Sequence, residues 1–183
     1  ARLEAVGARY FARGGRSPIN DLNRDLLARL RAELDRREIS TPLLWGNRNS
    51  EPFLAGAGHE ALDQGASRVL ALVTSAYSCY SSCRQYREDL AAAVDEVGPA
   101  ADGLVIDKVR PYSGHPGVGR AWRRALVAAL SELPEPASAR ILYVTHSIPT
   151  AMDDTSGPGD GEGNLYVDQH VRLGRRLTDE VNA

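Results

Sequence analysis

The residue of this sequence that is best placed to do chemistry is His146, which directly follows the apolar run at residues 141–145 (ILYVT). A neutral imidazole is a good ligand for divalent iron and a proton acceptor near pH 7. Pro149 fixes the turn that follows and helps to hold the ring. Alternatively, the histidine has no catalytic role and only makes a hydrogen bond to a neighbouring backbone group. One histidine does not complete a metal site either, because divalent metals take several ligands.

A second candidate segment, residues 75–86 (SAYSCYSSCRQY), combines aromatic rings, hydroxyls and Arg84 after another apolar run. Aromatic faces suit a flat macrocycle, and a helix N-terminus with an arginine suits a carboxylate. An ordinary capped loop with core tyrosines explains the composition equally well. Cys79 and Cys83 are the only two cysteines, and their spacing is not a metal signature, because a tetrahedral site or a cluster needs two more ligands.

Ser17 lies in a third segment, GGRSP at residues 14–18. The glycines permit close backbone approach, and the serine hydroxyl stands beside a proline-fixed turn. The segment is not the GxGxxG fingerprint of dinucleotide-binding proteins. Ser17 or Ser147 with His146 could suggest a hydrolase, but the GxSxG elbow is missing, and adjacent residues do not act as nucleophile and base in the usual geometry.

Short apolar runs that alternate with helical stretches must position these residues, and they predict an α/β fold with a parallel sheet flanked by helices. Such strands are buried on both faces, and sites form at their carboxyl ends. A helix-capping role is predicted for Asn20 or Asp21 and for Ser81 or Ser82. The predicted strands are residues 42–45, 69–74, 104–106 and 141–145, and the predicted helices begin near residues 20, 52, 81, 117 and 164 and end near 37, 64, 97, 133 and 181.

The stretch at residues 153–163 (DDTSGPGDGEG) is acidic and rich in glycine. This composition predicts a flexible surface loop. We expect Asp153, Asp154 and Asp160 to be solvated surface charges, so none of them is a fixed partner for His146.

Composition narrows the class of protein. The chain has 183 residues, and 43% of them are hydrophobic, which is too many for a disordered chain. The formal net charge of −2 provides no basic surface for nucleic acid. No apolar run reaches the length of a membrane span, and no signal peptide is apparent. With only two cysteines, the cytoplasm is the expected compartment.

Five motifs along nearly the whole chain carry a family resemblance: GGRSPIND, WGNRNSEPF, VTSAYSCYSSCRQYRED, KVRPY followed by HP, and VTHSIPT. Together they resemble bacterial ferrochelatases, especially the actinobacterial type that makes coproheme from coproporphyrin III. The resemblance implies a Rossmann-like chelatase domain over residues 1–183. It would be the N-terminal one of two domains, truncated at its start and lacking the second.

The resemblance also implies roles for single residues. His146 matches the catalytic, iron-binding histidine, and Ser17 and Tyr86 match residues that contact the porphyrin propionates. Cys79 falls where some members place one ligand of a [2Fe-2S] cluster, whose other ligands would lie beyond Ala183. The missing domain would supply the glutamate that faces the histidine.

The implied function is ferrous iron insertion into coproporphyrin III in heme biosynthesis, with iron as substrate metal and no required cofactor. The partners would be coproporphyrin III, ferrous iron and other heme-pathway enzymes, but no nucleic acid. Two alternatives stay open. One is a half-length chelatase working as a homodimer, like the short cobalt chelatases for sirohydrochlorin, which gel filtration would reveal. The other is a non-catalytic porphyrin-binding fragment.

Overall fold

The structure, a computed structural model, describes residues 7, 8, 10–12, 14–157 and 163–182. The chain groups into two compact units, Ala1–Phe53 and Leu54–Ala183. In the part that the structure describes, no helix is long and apolar enough to cross a membrane.

The first unit is built around helix α1, Ile19–Arg36. The predicted helix is confirmed and ends within one residue of its predicted end, but it begins before the predicted cap residues Asn20 and Asp21, so the predicted cap is wrong. Pro18 occupies the N-cap position and its side chain makes no cap hydrogen bond. The proline ring fixes φ at −75°, which prepares the first turn. The preceding Ser17 hydroxyl accepts from the Ile19 main-chain nitrogen at 3.3 Å, so the helix starts before Asn20 and Asp21. Asp21 in the first turn instead pairs with Arg16 and Arg24, both at 2.8 Å.

The predicted strand at residues 42–45 is wrong, because residues 41–46 have no regular structure. Side-chain hydrogen bonds hold the following turn instead. The indole nitrogen of Trp45 donates to the Asn47 amide oxygen at 3.1 Å, and the Asn47 amide nitrogen donates to Asn20 at 3.2 Å. A strand needs a neighbour for its main-chain groups, and the described residues of this unit place none beside this run.

The second unit contains a parallel pair of strands, β1 (Arg68–Ala71) and β2 (Val105–Lys108). Val69 pairs with Ile106, and helix α3 (Arg84–Val97) lies between the strands in sequence. Parallel strands require such a crossover connection. The small parallel sheet flanked by helices confirms the predicted α/β class. Helix α2 (Leu54–Asp63) precedes β1, and helix α4 (Pro116–Ser131) follows β2.

The expectation that the strands are buried on both faces is wrong for β1. Exposure alternates along the strand and beyond it: Leu70 and Leu72 are exposed, whereas Val73 is buried. This is the period of two that a strand shows when one face is packed and the other is open. No described element covers the second face of β1.

The core of the second unit lies between α2 and α3. Ala55 on α2 packs with Val97 at the end of α3 and with Ala101. The helices approach closely because Gly58 has no side chain: a Cβ there would lie 3.1 Å from a methyl of Val97. Packing of small residues therefore sets the position of α3, whose first turn contains the last three residues of the segment at residues 75–86.

The predicted strand at residues 141–145 is also wrong. The segment pairs with no strand in the described chain, and Leu142 is 85% exposed. The side chains of Tyr143 and Thr145 instead contact helix α6, Leu165–Asn182. The Tyr143 ring packs over Gly174, and its hydroxyl lies 3.1 Å from that of Thr178. Contacts to a helix replace the β-ladder that the sequence led us to expect.

The acidic residues of the stretch at 153–163 differ in their surroundings. Asp153 is the last but one residue of the short helix α5 (Thr150–Asp154) and is only 6% exposed, so the expectation of a solvated surface charge is wrong for this residue. Asp154 is exposed, as expected. Asp160 lies outside the described residues. The predicted helix 164–181 is confirmed by α6 to within one residue at each end.

Candidate functional site

His146 lies at the end of the segment that runs along α6. Its side chain is exposed, and no described residue makes a hydrogen bond to its imidazole. Its main-chain carbonyl, in contrast, accepts a hydrogen bond of 2.8 Å from the Tyr166 hydroxyl. The ring is therefore available to a metal ion or a substrate proton, while the backbone that carries it is tethered.

The tether belongs to a cluster of polar and aromatic side chains on the first turns of α6. The Thr145 hydroxyl lies 3.1 Å from that of Tyr166 and 2.9 Å from Nε2 of His170. Nδ1 of His170 lies 2.7 Å from the Tyr166 carbonyl. A carbonyl only accepts, so Nδ1 carries a hydrogen.

The second predicted segment reaches the same helix. The Tyr77 ring stacks on the His170 ring with centroids 3.7 Å apart and planes at 14°. Burial raises the pKa of Tyr77, and the neighbouring Tyr166 adds to the effect. Next to it, the Ser78 main-chain nitrogen donates to Gln169 at 2.8 Å, and Gln169 donates back to the Ser78 hydroxyl at 2.9 Å. Helix α6 thus joins the two segments that the sequence singled out.

The start of α6 is fixed by a carboxylate. Asp153 accepts hydrogen bonds from the main-chain nitrogen of Tyr166 at 3.0 Å and from the Ser156 hydroxyl at 3.0 Å. A carboxylate at a helix N-terminus satisfies free N–H groups and interacts favourably with the helix dipole. Asp153, seven residues after His146, therefore caps α6, the helix that also binds the His146 backbone.

Cys79 is buried in a turn that serine side chains organise. The Ser82 hydroxyl accepts from the Cys79 main-chain nitrogen at 3.0 Å and donates to the Tyr77 carbonyl. Burial by itself would raise the pKa of the Cys79 thiol, but hydrogen bonds with Ser81 and Ser82 outweigh it and lower that pKa below its usual value. Neither serine caps α3, whose N-cap is Cys83, so the predicted caps are wrong. The serines are used within the turn.

Tyr86 lies in the first turn of α3 and is half-buried. Tyr112, from the KVRPY motif, lies near Tyr86. Burial is the main reason that the pKa of Tyr112 is raised, and the neighbouring Tyr86 raises it further. The Tyr112 hydroxyl donates to the Val73 carbonyl at 2.8 Å. This motif residue therefore holds the chain that enters the segment at residues 75–86.

Ser17 belongs to the first unit. It is exposed, and its hydroxyl accepts a weak hydrogen bond of 3.3 Å from the main-chain nitrogen of Ile19. The structure thus brings His146 and the Tyr77–Cys79 turn to one helix of the second unit, and Ser17 to the start of α1. Within the described ranges, no group of three or more His, Cys, Asp or Glu side chains could hold a metal ion.

Sequence reasoning missed the residues that organise this site, namely Tyr166, Gln169, His170 and Asp153. One signal was present: Tyr166 and His170 are four apart, so a helix places them on one face. The signal for Asp153 was hidden, because its neighbours at residues 157–163 have the composition of a loop.

Comparison with known proteins decides the family. A ferrochelatase family model matches residues 1–183. The chain belongs to the ferrochelatase family. The resemblance inferred from the five motifs is thereby confirmed, and the parallel sheet flanked by helices is consistent with a chelatase fold.

Curated ferrochelatases resemble this chain over its whole length. The coproporphyrin III ferrochelatase of Streptomyces griseus is 43% identical over 189 residues, covering 100% of this chain and 50% of the relative. The proteins of the same name from Streptomyces coelicolor and Leifsonia xyli are 44% and 45% identical, covering 98% of this chain and 49% and 50% of the relatives. The chain spans about half the length of the curated ferrochelatases that it matches.

Proposed function

We propose that the protein carrying this chain inserts ferrous iron into coproporphyrin III and so forms coproheme in heme biosynthesis. The observation that carries the proposal is the identity of 43–45%, over nearly all of this chain, to proteins named coproporphyrin III ferrochelatase. The exposed His146 imidazole on a tethered backbone supports it, since this reaction needs a metal ligand and a base.

His146 is the proposed catalytic and metal-binding residue. Insertion exchanges two pyrrole N–H protons for one Fe²⁺, so the products are the iron porphyrin and two protons. A neutral imidazole can bind the iron before transfer or accept one of those protons. The resemblance places a facing glutamate in the rest of the protein, where it would supply the carboxylate partner.

Ser17 and Tyr86 are the proposed binding residues for the propionates. Each hydroxyl can donate one hydrogen bond to a carboxylate. Tyr86 lies at the start of α3, where the N-terminal end of the helix favours a negative group. Ser17 lies at the start of α1, for which the same argument holds.

No cofactor is required for this reaction, and the iron is a substrate. Cys79 is a candidate ligand for a [2Fe-2S] cluster, and the hydrogen bonds that lower its pKa favour the thiolate that a cluster needs. The described residues do not complete a ligand set around it. Ligands from outside this chain would be needed to complete a cluster, and the proposed insertion uses only the iron that is its substrate.

We assign residues 1–183 to the N-terminal of two chelatase domains and the protein to the cytoplasm, with other heme-pathway enzymes as potential partners. The two-domain assignment agrees with relatives twice as long as this chain. Under it, the porphyrin would bind in the cleft between the two domains.

The test uses purified full-length protein, meaning this chain joined to the rest of the length that its relatives have. Mixed anaerobically with ferrous iron and coproporphyrin III, it should convert the porphyrin spectrum to that of coproheme, and faster than with protoporphyrin IX, which has two propionates instead of four. Porphyrin binding without insertion would identify a non-catalytic binding protein instead.

A further inference from the structure

We propose that Tyr166 is a positioning residue for His146, acting through the main chain rather than on the substrate. The inference rests on the proposed function, because it assigns a second residue to the same site. Its basis is the hydrogen bond from the Tyr166 hydroxyl to the His146 carbonyl.

The backbone around His146 depends on side-chain tethers. Within the described chain, residues 140–148 take part in no backbone–backbone hydrogen bond. Four side-chain contacts hold the segment to α6 instead: Tyr143 to Thr178, Thr145 to Tyr166, Thr145 to His170, and Tyr166 to the His146 carbonyl. Of these, only the hydrogen bond from Tyr166 to the His146 carbonyl involves the histidine itself. Its loss would free the peptide group that orients the imidazole.

Tyr166 is itself held at both ends. Its main-chain nitrogen donates to Asp153, and its carbonyl accepts from His170 Nδ1. Its ring lies 4.4 Å from the His170 ring, centroid to centroid. The hydroxyl thus projects from an anchored residue, and its single hydrogen goes to the His146 carbonyl.

Tyr77 packs against the rings of both His170 and Tyr166. It stacks on His170, and its ring lies 6.4 Å from that of Tyr166 in an edge-on orientation. Such aromatic contacts restrict ring motion and favour particular geometries. Because Tyr77 belongs to the segment that leads to Tyr86, the same cluster fixes the histidine relative to that segment.

A positioning role differs from a stabilising one in its kinetics. Misplacing a catalytic group slows the chemical step more than it weakens binding of the rest of the substrate. Loss of one hydrogen bond that holds the group should lower kcat about tenfold. The KM for porphyrin should stay within about twofold, because Tyr166 touches no proposed propionate ligand.

The experiment compares Tyr166→Phe with Tyr143→Phe in the full-length protein, using anaerobic iron insertion. Each variant removes one hydroxyl that ties the segment to α6, but the Tyr143 bond lies three residues before His146. We expect Tyr166→Phe to lower kcat about tenfold at unchanged porphyrin KM, and Tyr143→Phe to lower the melting temperature with kcat unchanged.

The inference is overturned if Tyr166→Phe keeps the kcat of the parent, or if both variants lose kcat equally. His146→Ala, measured in parallel, separates the two proposals. An active His146→Ala variant would contradict the proposed function. An inactive His146→Ala variant beside a fully active Tyr166→Phe variant would contradict the positioning role alone.

Discussion

The carboxylate of Asp153 lies 3.0 Å from the main-chain nitrogen of Tyr166, and this contact joins the helix that follows His146 to the helix that holds its backbone. The histidine, α5 and the start of α6 therefore form a closed loop of contacts. Disturbing the loop at the carboxylate should affect both stability and the site.

Asp153→Ala should remove this cap and cost about 1 kcal/mol. The melting temperature, followed by circular dichroism, should fall by roughly 2–4 °C. Asp154→Ala is the matched control, since it removes an exposed carboxylate one residue away. Equal melting temperatures for the two variants would mean that the cap contributes nothing.

Removing the proposed propionate ligands should weaken porphyrin binding more than it slows insertion. Ser17→Ala and Tyr86→Phe each remove one hydrogen bond to a carboxylate, a loss of about 1.5–3 kcal/mol. Fluorescence quenching of coproporphyrin III by the full-length protein measures the affinity.

Tyr80→Phe is the control for Tyr86→Phe. Tyr80 lies in the same segment, but its hydroxyl is taken by Glu88 at 2.9 Å. Its removal should leave the affinity unchanged. If both Ser17→Ala and Tyr86→Phe bind porphyrin like the parent, neither residue is a propionate ligand.

Helix α1 should show a pH-dependent ion pair. Hydrogen bonds first from Arg36 and then from Arg37 lower the pKa of Glu33 from 4.5 to about 2. A lowered carboxyl pKa stabilises the folded state above pH 4.5, and this contribution is lost as the pH falls towards 2. Replacing both arginines by alanine should return the pKa to about 4.5 in an NMR titration of the Glu33 carboxyl. A pKa that stays near 2 would exclude the arginines as its cause.

The 183-residue chain alone should insert iron far more slowly than full-length protein. One histidine does not hold iron against water, and we expect the facing glutamate in the rest of the protein. The same anaerobic assay measures this. Turnover equal to that of the full-length protein would indicate the half-length homodimer, and gel filtration would then show a dimer.

The sequence predicted a secondary-structure element well where the residues that specify the element lie within it. Helix α6 is found within one residue of its predicted bounds because its apolar periodicity lies within the helix itself. Residues 141–145 have equally strong β-propensity but form no strand, because pairing depends on a neighbour that the pattern does not specify.

The candidate site was predicted only in part for the same reason. His146 was identifiable from its type and motif, whereas the contact of Tyr166 with its carbonyl spans 20 residues of sequence. Asp153 resembled loop charge, since nothing in its neighbours predicts that a helix beginning 12 residues later returns to bury it. Tertiary contacts decided both cases.

The most direct test of the account is iron insertion by His146→Ala in the full-length protein, with His59→Ala, an exposed histidine on α2, as the control. Coproporphyrin III binding should persist in both variants, as judged by fluorescence quenching. We predict that His146→Ala binds the porphyrin but forms no coproheme, while His59→Ala turns over like the parent. Near-normal coproheme formation by His146→Ala would contradict it.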